Sequence, residues 1–335
     1  MAPIVTAPRP TDERPVLALS GGVGGAKLAL GLARVLPPGK LTVVANTGDD
    51  FEHLGLHIAP DLDTLTYVLA GLDNQQTGWG RRDETWSFMA ALAELGGETW
   101  FRLGDRDLAM HVERTRRLKS GETLSGITAD VARRLGIANR ILPMTDDAVR
   151  TRVETREGVL DFQHYFVGRQ CVPQVTGFLF GGADEAVPHP DVVAALRQPG
   201  LRAVIICPSN PFISIDPILA LPGLRPALAA AAAPVIAVSP IIAGRAVKGP
   251  TAKMMAELGL AVDPLTVAAH YGGLIDGYVM DDADSQMAAM LDLPVETIRT
   301  LMQGLRDREA LGRAVLDFAD RIAVRAAQRM SGGRS

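Results

Sequence analysis

The sequence predicts a three-layer α/β/α protein, a Rossmann-like arrangement with a mainly parallel sheet and a largely helical insertion. Three observations predict it. Apolar runs at 16–19, 41–45, 203–207, 234–238 and 277–280 are continuous rather than alternating, as in strands covered on both faces. Stretches of helical apolar spacing separate them, the rhythm of parallel strands joined by crossover helices. Several runs end in polar or glycine- and proline-rich turns, where open α/β sheets bind their ligands. With 335 residues, 47% of them hydrophobic, the chain has ample material for a sizeable core.

Taken in order, residues 1–15 hold Pro3, Pro8, Pro10 and Pro15 and no apolar run. They are expected to form a disordered tail rather than a signal peptide. Val16-Leu-Ala-Leu19 is the first strand, and Ser20-Gly-Gly-Val-Gly-Gly25 follows it. Helical spacing then runs from Ala26 through Leu28, Leu32 and Val35. The second strand, 41–45, ends in Asn46-Thr-Gly-Asp-Asp50, and an apolar helix covers 65–72. From 65 to 160 the chain reads as a largely helical insertion. It holds the loop Gly78-Trp-Gly80 and the turn Phe101-Arg-Leu-Gly-Asp-Arg-Asp107. Loosely alternating residues 160–167 and the run 177–180 are expected strands, and a helix covers 190–197. After the core runs at 203–207 and 234–238 come a helix at 251–258, a strand at 277–280 and amphipathic helices to about 328. The core therefore comprises 16–64 and 161–330.

Composition excludes several classes. The formal charge is −4 and no basic stripe offers a nucleic-acid track. The uncharged stretch 226–244 is cut by Pro234 and Pro240, so it reads as a helix end and a core strand, not a membrane span. Cys171 and Cys207 lack disulfide or metal spacing, which suits a reducing, cytoplasmic setting.

Four glycines between Ser20 and Gly25 permit close approach to bare backbone, and N–H groups at a helix N-terminus attract anions, most often phosphate. The stretch is not a Walker A loop, because Ala26 and Leu28 stand where glycine and a hydroxyl are needed. Nor is it a dinucleotide fingerprint, because Lys27 stands where glycine or alanine is needed and Asn46 where an acid would end the second strand. Asp49, Asp50, Asp61 and Asp63 fall within fifteen residues, and on extended chain Asp61 and Asp63 would point the same way. Clustered carboxylates beside a phosphate loop suit Mg²⁺; an N-cap at Asp63 and turn residues at Asp49 and Asp50 are the structural alternative. Arg102, Asp105, Arg106 and Asp107 crowd one turn, as an anion-recognising site or as a solvated ion-pair cluster. Pro208-Ser-Asn-Pro211 and Ser239-Pro240 end buried strands and suit contacts to a base or ribose, or plain turn chemistry. Lys248-Gly-Pro-Thr-Ala-Lys253 opens a helix and offers a second anion site. His53, His57, His111 and His164 lack metal spacing and read as core or surface residues.

In this order, these motifs resemble the CofD-like family, in particular the 2-phospho-L-lactate transferases of coenzyme F420 biosynthesis. The resemblance runs from about Val16 to about Asp281. It is carried by Ser20–Gly25, Val44–Asp50, Pro60–Thr64, Gly78–Gly80, Leu103–Asp107, Pro208–Pro211 with Ser214, Ile215, Pro217 and Ile218, and Ser239–Ile242. It implies a homodimer whose helical insertion contributes to an acceptor site. It also implies transfer of a phospho-acid from a guanosine diphosphate-linked donor to the terminal ribityl hydroxyl of the deazaflavin FO (7,8-didemethyl-8-hydroxy-5-deazariboflavin). GMP leaves, and Mg²⁺ is required. By similarity Asp63 and Arg102 contact FO, and Asp49, Asp61 and Asp63 form the metal set, with Asp49 and Asp63 the catalytic pair. The nucleotide is expected across Gly21, Gly22, Gly24, Gly25 and Lys27, and across Ser209, Asn210 and Ser239. The donor's acid, phospholactate, phosphoenolpyruvate or 3-phosphoglycerate, is not legible. The competing reading is a CofD-like nucleotide-binding regulatory protein without transferase activity.

Overall fold

In the computed structural model, residues 12–76 and 78–332 are described. A seven-stranded sheet forms the centre. Its order is Val295–Thr297, Gly277–Met280, Val235–Val238, Ala203–Ile206, Val16–Ser20 (β1), Leu41–Ala45 (β2) and Arg140–Pro143. Every neighbouring pair is parallel, so the expected three-layer α/β/α architecture is the one observed. All five residues of β1 are buried. Leu17 and Leu19 enter the core on one face of the sheet, Val16 and Ala18 the core on the other, as strand alternation requires.

Strand order reverses at β1, with β2 on one side and Ala203–Ile206 on the other. A crevice at the C-terminal ends of the strands is the geometric consequence of such a reversal. Helix α1 (Gly22–Val35) leaves β1 at that edge. It packs against the C-terminal helix Leu305–Gly332 so closely that a Cβ on Gly31 would collide with the carbonyl oxygen of Arg308.

The structure corrects five expectations. Helix α1 starts at Gly22, so the glycines belong to its first turn and not to a preceding loop. Asp61 and Asp63 lie in the first turn of helix α2 (Pro60–Leu69), not on extended chain. Two residues apart on a helix, their side chains diverge by about 200°. The insertion is helical only as far as Arg134; Arg140–Pro143 joins the main sheet, and Arg150–Thr155 pairs with Gly158–Asp161 and Val175–Gly181 in a small antiparallel sheet. His164–Gly168 is a helical turn rather than a strand. Val295–Thr297 adds a strand where helices were expected.

Of the expected tail, residues 1–11 lie outside the described residues. Residues 12–15 are held in place: the Arg202 N–H donates to Pro15 O at 2.8 Å, and Asp12 pairs with Arg14 and Arg202. Among the described residues no helix is long and apolar enough to cross a membrane.

Candidate active site

A cavity of about 610 Å³ opens at the C-terminal edge of the sheet, against the first turn of α1. Gly21, Gly22 and Gly24 line it, with Pro208, Ser209, Asn210 and Ser214 from the turn after Ala203–Ile206. The glycines allow α1 to meet that turn backbone to backbone. A Cβ on Gly25 would stand 2.5 Å from the hydroxyls of Ser20 and Ser209, and one on Gly24 would collide with Pro208 O. Gly22 has φ +64°, the left-handed region that glycine occupies without strain. The first N–H groups of a helix have no partner within it. Here the Gly21 N–H donates to Ser209 Oγ at 3.1 Å and the Gly22 N–H to Asp61 Oδ1 at 2.6 Å.

Asp49 and Asp61 share a donor. Asn46 Nδ2 reaches Asp49 Oδ1 at 3.2 Å and Asp61 Oδ2 at 3.0 Å, and Asn46 Oδ1 accepts the Gly48 N–H at 2.8 Å. Asn46, at the end of β2, thus fixes both carboxylates and its own turn. Burial pushes Asp61 up to about 6. Burial, with the neighbouring charges of Asp61 and Asp50, holds Asp49 well above the usual carboxylate range. Asp50 is raised by burial too, opposed by His57, whose Nε2 lies 3.0 Å away. Two buried carboxylates held on one amide offer oxygen ligands of the kind a hard divalent cation takes.

Asp63 faces elsewhere. It forms a salt bridge with Arg114, itself buried and donating to His57 O at 3.3 Å. His111 sits between two acids, Nδ1 at 3.6 Å from Asp63 Oδ2 and Nε2 at 3.4 Å from Asp107 Oδ2. Tyr67 donates its hydroxyl to Asp107 at 2.5 Å. Asp63 Oδ2 and both His111 ring nitrogens are buried without a hydrogen-bond partner among the described residues. One ligand atom from each of Asp63, Asp107 and His111 lies within 4.8 Å of the others, so this trio is a second place able to hold a cation.

Comparisons with known proteins bear on the family. The profile described as "2-phospho-L-lactate transferase CofD" matches residues 16–315. The chain belongs to the CofD family. Among its relatives, the phosphoenolpyruvate transferase of Kitasatospora aureofaciens is 40% identical over 317 residues, spanning 92% of this chain and 98% of that protein. The 2-phospho-L-lactate transferase of Methanosarcina acetivorans is 41% identical over 310 residues, spanning 92% and 100%. A UPF0052-family protein of Bacillus halodurans has the same fold at 13% identity, with a TM-score of 0.63 over 91% of this chain and 99% of that one.

In this CofD-family transferase the expected site residues divide into groups. Asp49, Asp61, Asp63, Arg102, Lys27, Ser209, Asn210 and Ser239 all line the one cavity. Asn210 also caps the turn after it, accepting from Phe212 N at 2.9 Å, and Ser239 Oγ bonds the backbone of Ile241. Their turn chemistry is therefore real. Arg102 lies with its guanidinium 4.2 Å from the centre of the Trp86 ring, on a wall that includes Trp79, Trp100 and Phe101. Asp105 is drawn away to cap Ser87 and Phe88, and Arg106 points to solvent. Lys253 turns from the site to Glu257 and Tyr165. Tyr67 and Arg114 were missed by sequence reasoning, Asp107 was read only as part of the charged turn at 102–107, and His111 only as a core or surface residue. Their signal was present: Asp107, His111 and Arg114 stand at i, i+4 and i+7, one face of the helix Asp105–Lys119.

Proposed function

We propose that this CofD-family chain moves a phospho-acid unit from a guanosine diphosphate-linked donor to the terminal hydroxyl of FO, releasing GMP, in coenzyme F420 biosynthesis. The observation that carries this reading is one cavity with two unlike ends. One end joins a helix N-terminus to the Asp49–Asp61 pair. The other joins Asp63 to an aromatic wall with Arg102. The first suits a diphosphate, the second a flat acceptor with a hydroxyl.

The reaction requires an oxygen of the acceptor to attack the donor's β-phosphorus. A new P–O bond forms, the bond from that phosphorus to the bridging oxygen breaks, and GMP leaves with the electron pair. Such transfers depend on positioning and charge neutralisation more than on covalent work by the protein. Asp63, anchored by Arg114, orients the acceptor hydroxyl and takes its proton on Oδ2, the oxygen without a hydrogen-bond partner among the described residues. The first-turn N–H groups of α1 that Ser209 and Asp61 leave open hold phosphate oxygens. Asp49 and Asp61 would hold Mg²⁺, which when bound offsets charge on the diphosphate oxygens.

The relatives' names span phosphoenolpyruvate and phospholactate transferases, so the test uses both donors. Purified protein is incubated with FO, Mg²⁺ and guanosine diphosphate esterified to either acid, and read by mass spectrometry. The expected result is an FO–phospho-acid adduct with stoichiometric GMP. No adduct from either donor, or from the 3-phosphoglycerate ester tried after them, together with unchanged FO fluorescence on adding protein, overturns the transferase reading in favour of a nucleotide-binding regulator.

A further inference from the structure

A recess of about 120 Å³ opens off the main cavity, beneath the Gly78-Trp-Gly80 loop. It has room for a group of a few heavy atoms, against about 30 Å³ per molecule of liquid water. Lys27 of α1, Lys248, and Arg308 of the C-terminal helix line it, with Asp73 as the one carboxylate among its lining residues. Arg308 is 5% exposed, yet its Nε has no hydrogen-bond partner among the described residues. Lys27 donates to Met302 O at 3.1 Å. Burial lowers its ammonium's affinity for a proton, and the charges of Arg308 and Lys248 add to that. Gly78 has φ +77°, the left-handed region glycine occupies without strain, and a Cβ there would collide with Lys248 Nζ and push that ammonium aside.

Three cations facing one carboxylate leave the recess with an excess of positive charge. A cationic group buried among like charges is costly unless an anion meets it. The main cavity carries four carboxylates, Asp49, Asp61, Asp63 and Asp107, and meets the recess at Lys27 and Lys248, which line both, so its acids lie on the far side of those lysines from Arg308, which lines the recess alone. A ligand with both a phosphate and a carboxylate would be sorted by this polarity. Arginine's fork matches a carboxylate in two-point contact, and the two lysines supply point charges.

We propose that this recess is the acid subsite of the donor, where Lys27, Lys248 and Arg308 hold the carboxylate of the phospho-acid while its phosphate stays at the α1 end. The proposal rests on the transferase reading above and adds the group that distinguishes the donor from guanosine diphosphate itself. It also explains how relatives with one architecture accept acids that differ by a few atoms: the carboxylate is common to phospholactate and phosphoenolpyruvate.

The test is calorimetric, without FO. Guanosine diphosphate and its β-ester with lactate are titrated into wild type and the variants Lys27→Met, Lys248→Met and Arg308→Gln. Lys248 is exposed, so its loss does not threaten folding; Lys27→Arg keeps the charge and serves as the rescue. Melting temperatures establish that each variant is folded. The expected result is a ten- to hundredfold weaker Kd for the lactyl ester in the Met and Gln variants, guanosine diphosphate unchanged within twofold, and recovery in Lys27→Arg. Equal weakening of both ligands overturns the proposal and makes the recess a diphosphate site. Wild type that prefers the ester, with Lys248→Met and Lys27→Met unchanged, overturns the subsite alone. Wild type that binds neither ligand overturns the transferase reading and the subsite together.

Discussion

Asp61 carries a charge that its surroundings resist, and that has consequences for pH. Its ordinary value of 3.8 is raised to about 6 in the fold, chiefly by burial. Below about pH 4 the carboxyl is protonated whether the chain is folded or not, and stability is unaffected. From there to about 6 the folded chain keeps a proton that the unfolded chain releases, so stability falls as pH rises. Above about 6 the loss is complete, about 3 kcal/mol at ~1.4 kcal/mol per unit. Metal-free protein should therefore lose several degrees of Tm between pH 5 and pH 7.5 relative to Asp61→Asn, and Mg²⁺ should restore them at pH 7.5 but not at pH 5. Calorimetric scans of both proteins with and without Mg²⁺ check this; parallel pH profiles would refute it. Asp49→Asn should lower kcat by about 10²-fold or more, the scale of losing one group that stabilises transition-state charge, without lowering the melting temperature, because it removes a buried charge that burial and Asp61 oppose. Unaltered turnover at saturating Mg²⁺ would remove Asp49 from the site. Both residues were legible as acids beside a glycine turn. The partners of Asp63 were not, because Arg114 lies 51 residues away and meets it only through tertiary packing.

Among the elements, the strands of the parallel sheet were legible wherever the apolar run was continuous. Arg140–Pro143 was not, because it has four residues and ends in proline. Val295–Thr297 was not, because a three-residue edge strand with no fully buried position has no pattern to read. The α1 start was misjudged for a physical reason: glycine lowers helix propensity, yet here it is required by contact with the turn at 208–214 rather than chosen for flexibility. That distinction is measurable. Gly25→Ala should raise intrinsic helix propensity but force a methyl group against Ser20 and Ser209. The clash should dominate, at about 1–3 kcal/mol of overpacking, shown as a lower urea midpoint with an unchanged slope. A higher midpoint would mean that the glycine serves ligand approach alone.

On the scale of the whole molecule, the cavity is assembled from distant parts of the chain. The phosphate end comes from β1, α1, α2 and the turns at 208–214 and 239–242, all core elements that the rhythm of the sequence announced. The aromatic end comes from 79–107, inside the insertion, where helical periodicity gave no hint of how Trp79, Trp86, Trp100 and Phe101 would converge. This division predicts separable binding energies. Arg102 touches the aromatic wall through Trp86 and has no contact with α1 or the 208–214 turn among the interactions described. Replacing it with alanine removes a charge and a stacking partner from the acceptor end only. The KM for FO should rise about tenfold, equivalent to ~1.4 kcal/mol, while the Kd for guanosine diphosphate stays within twofold and the melting temperature is unchanged. Steady-state kinetics with FO varied, set beside calorimetry with the nucleotide, give both numbers on one preparation. A nucleotide Kd that moved with the FO constant would show that the two ends act as one site, and that the acceptor does not bind where the insertion meets the core.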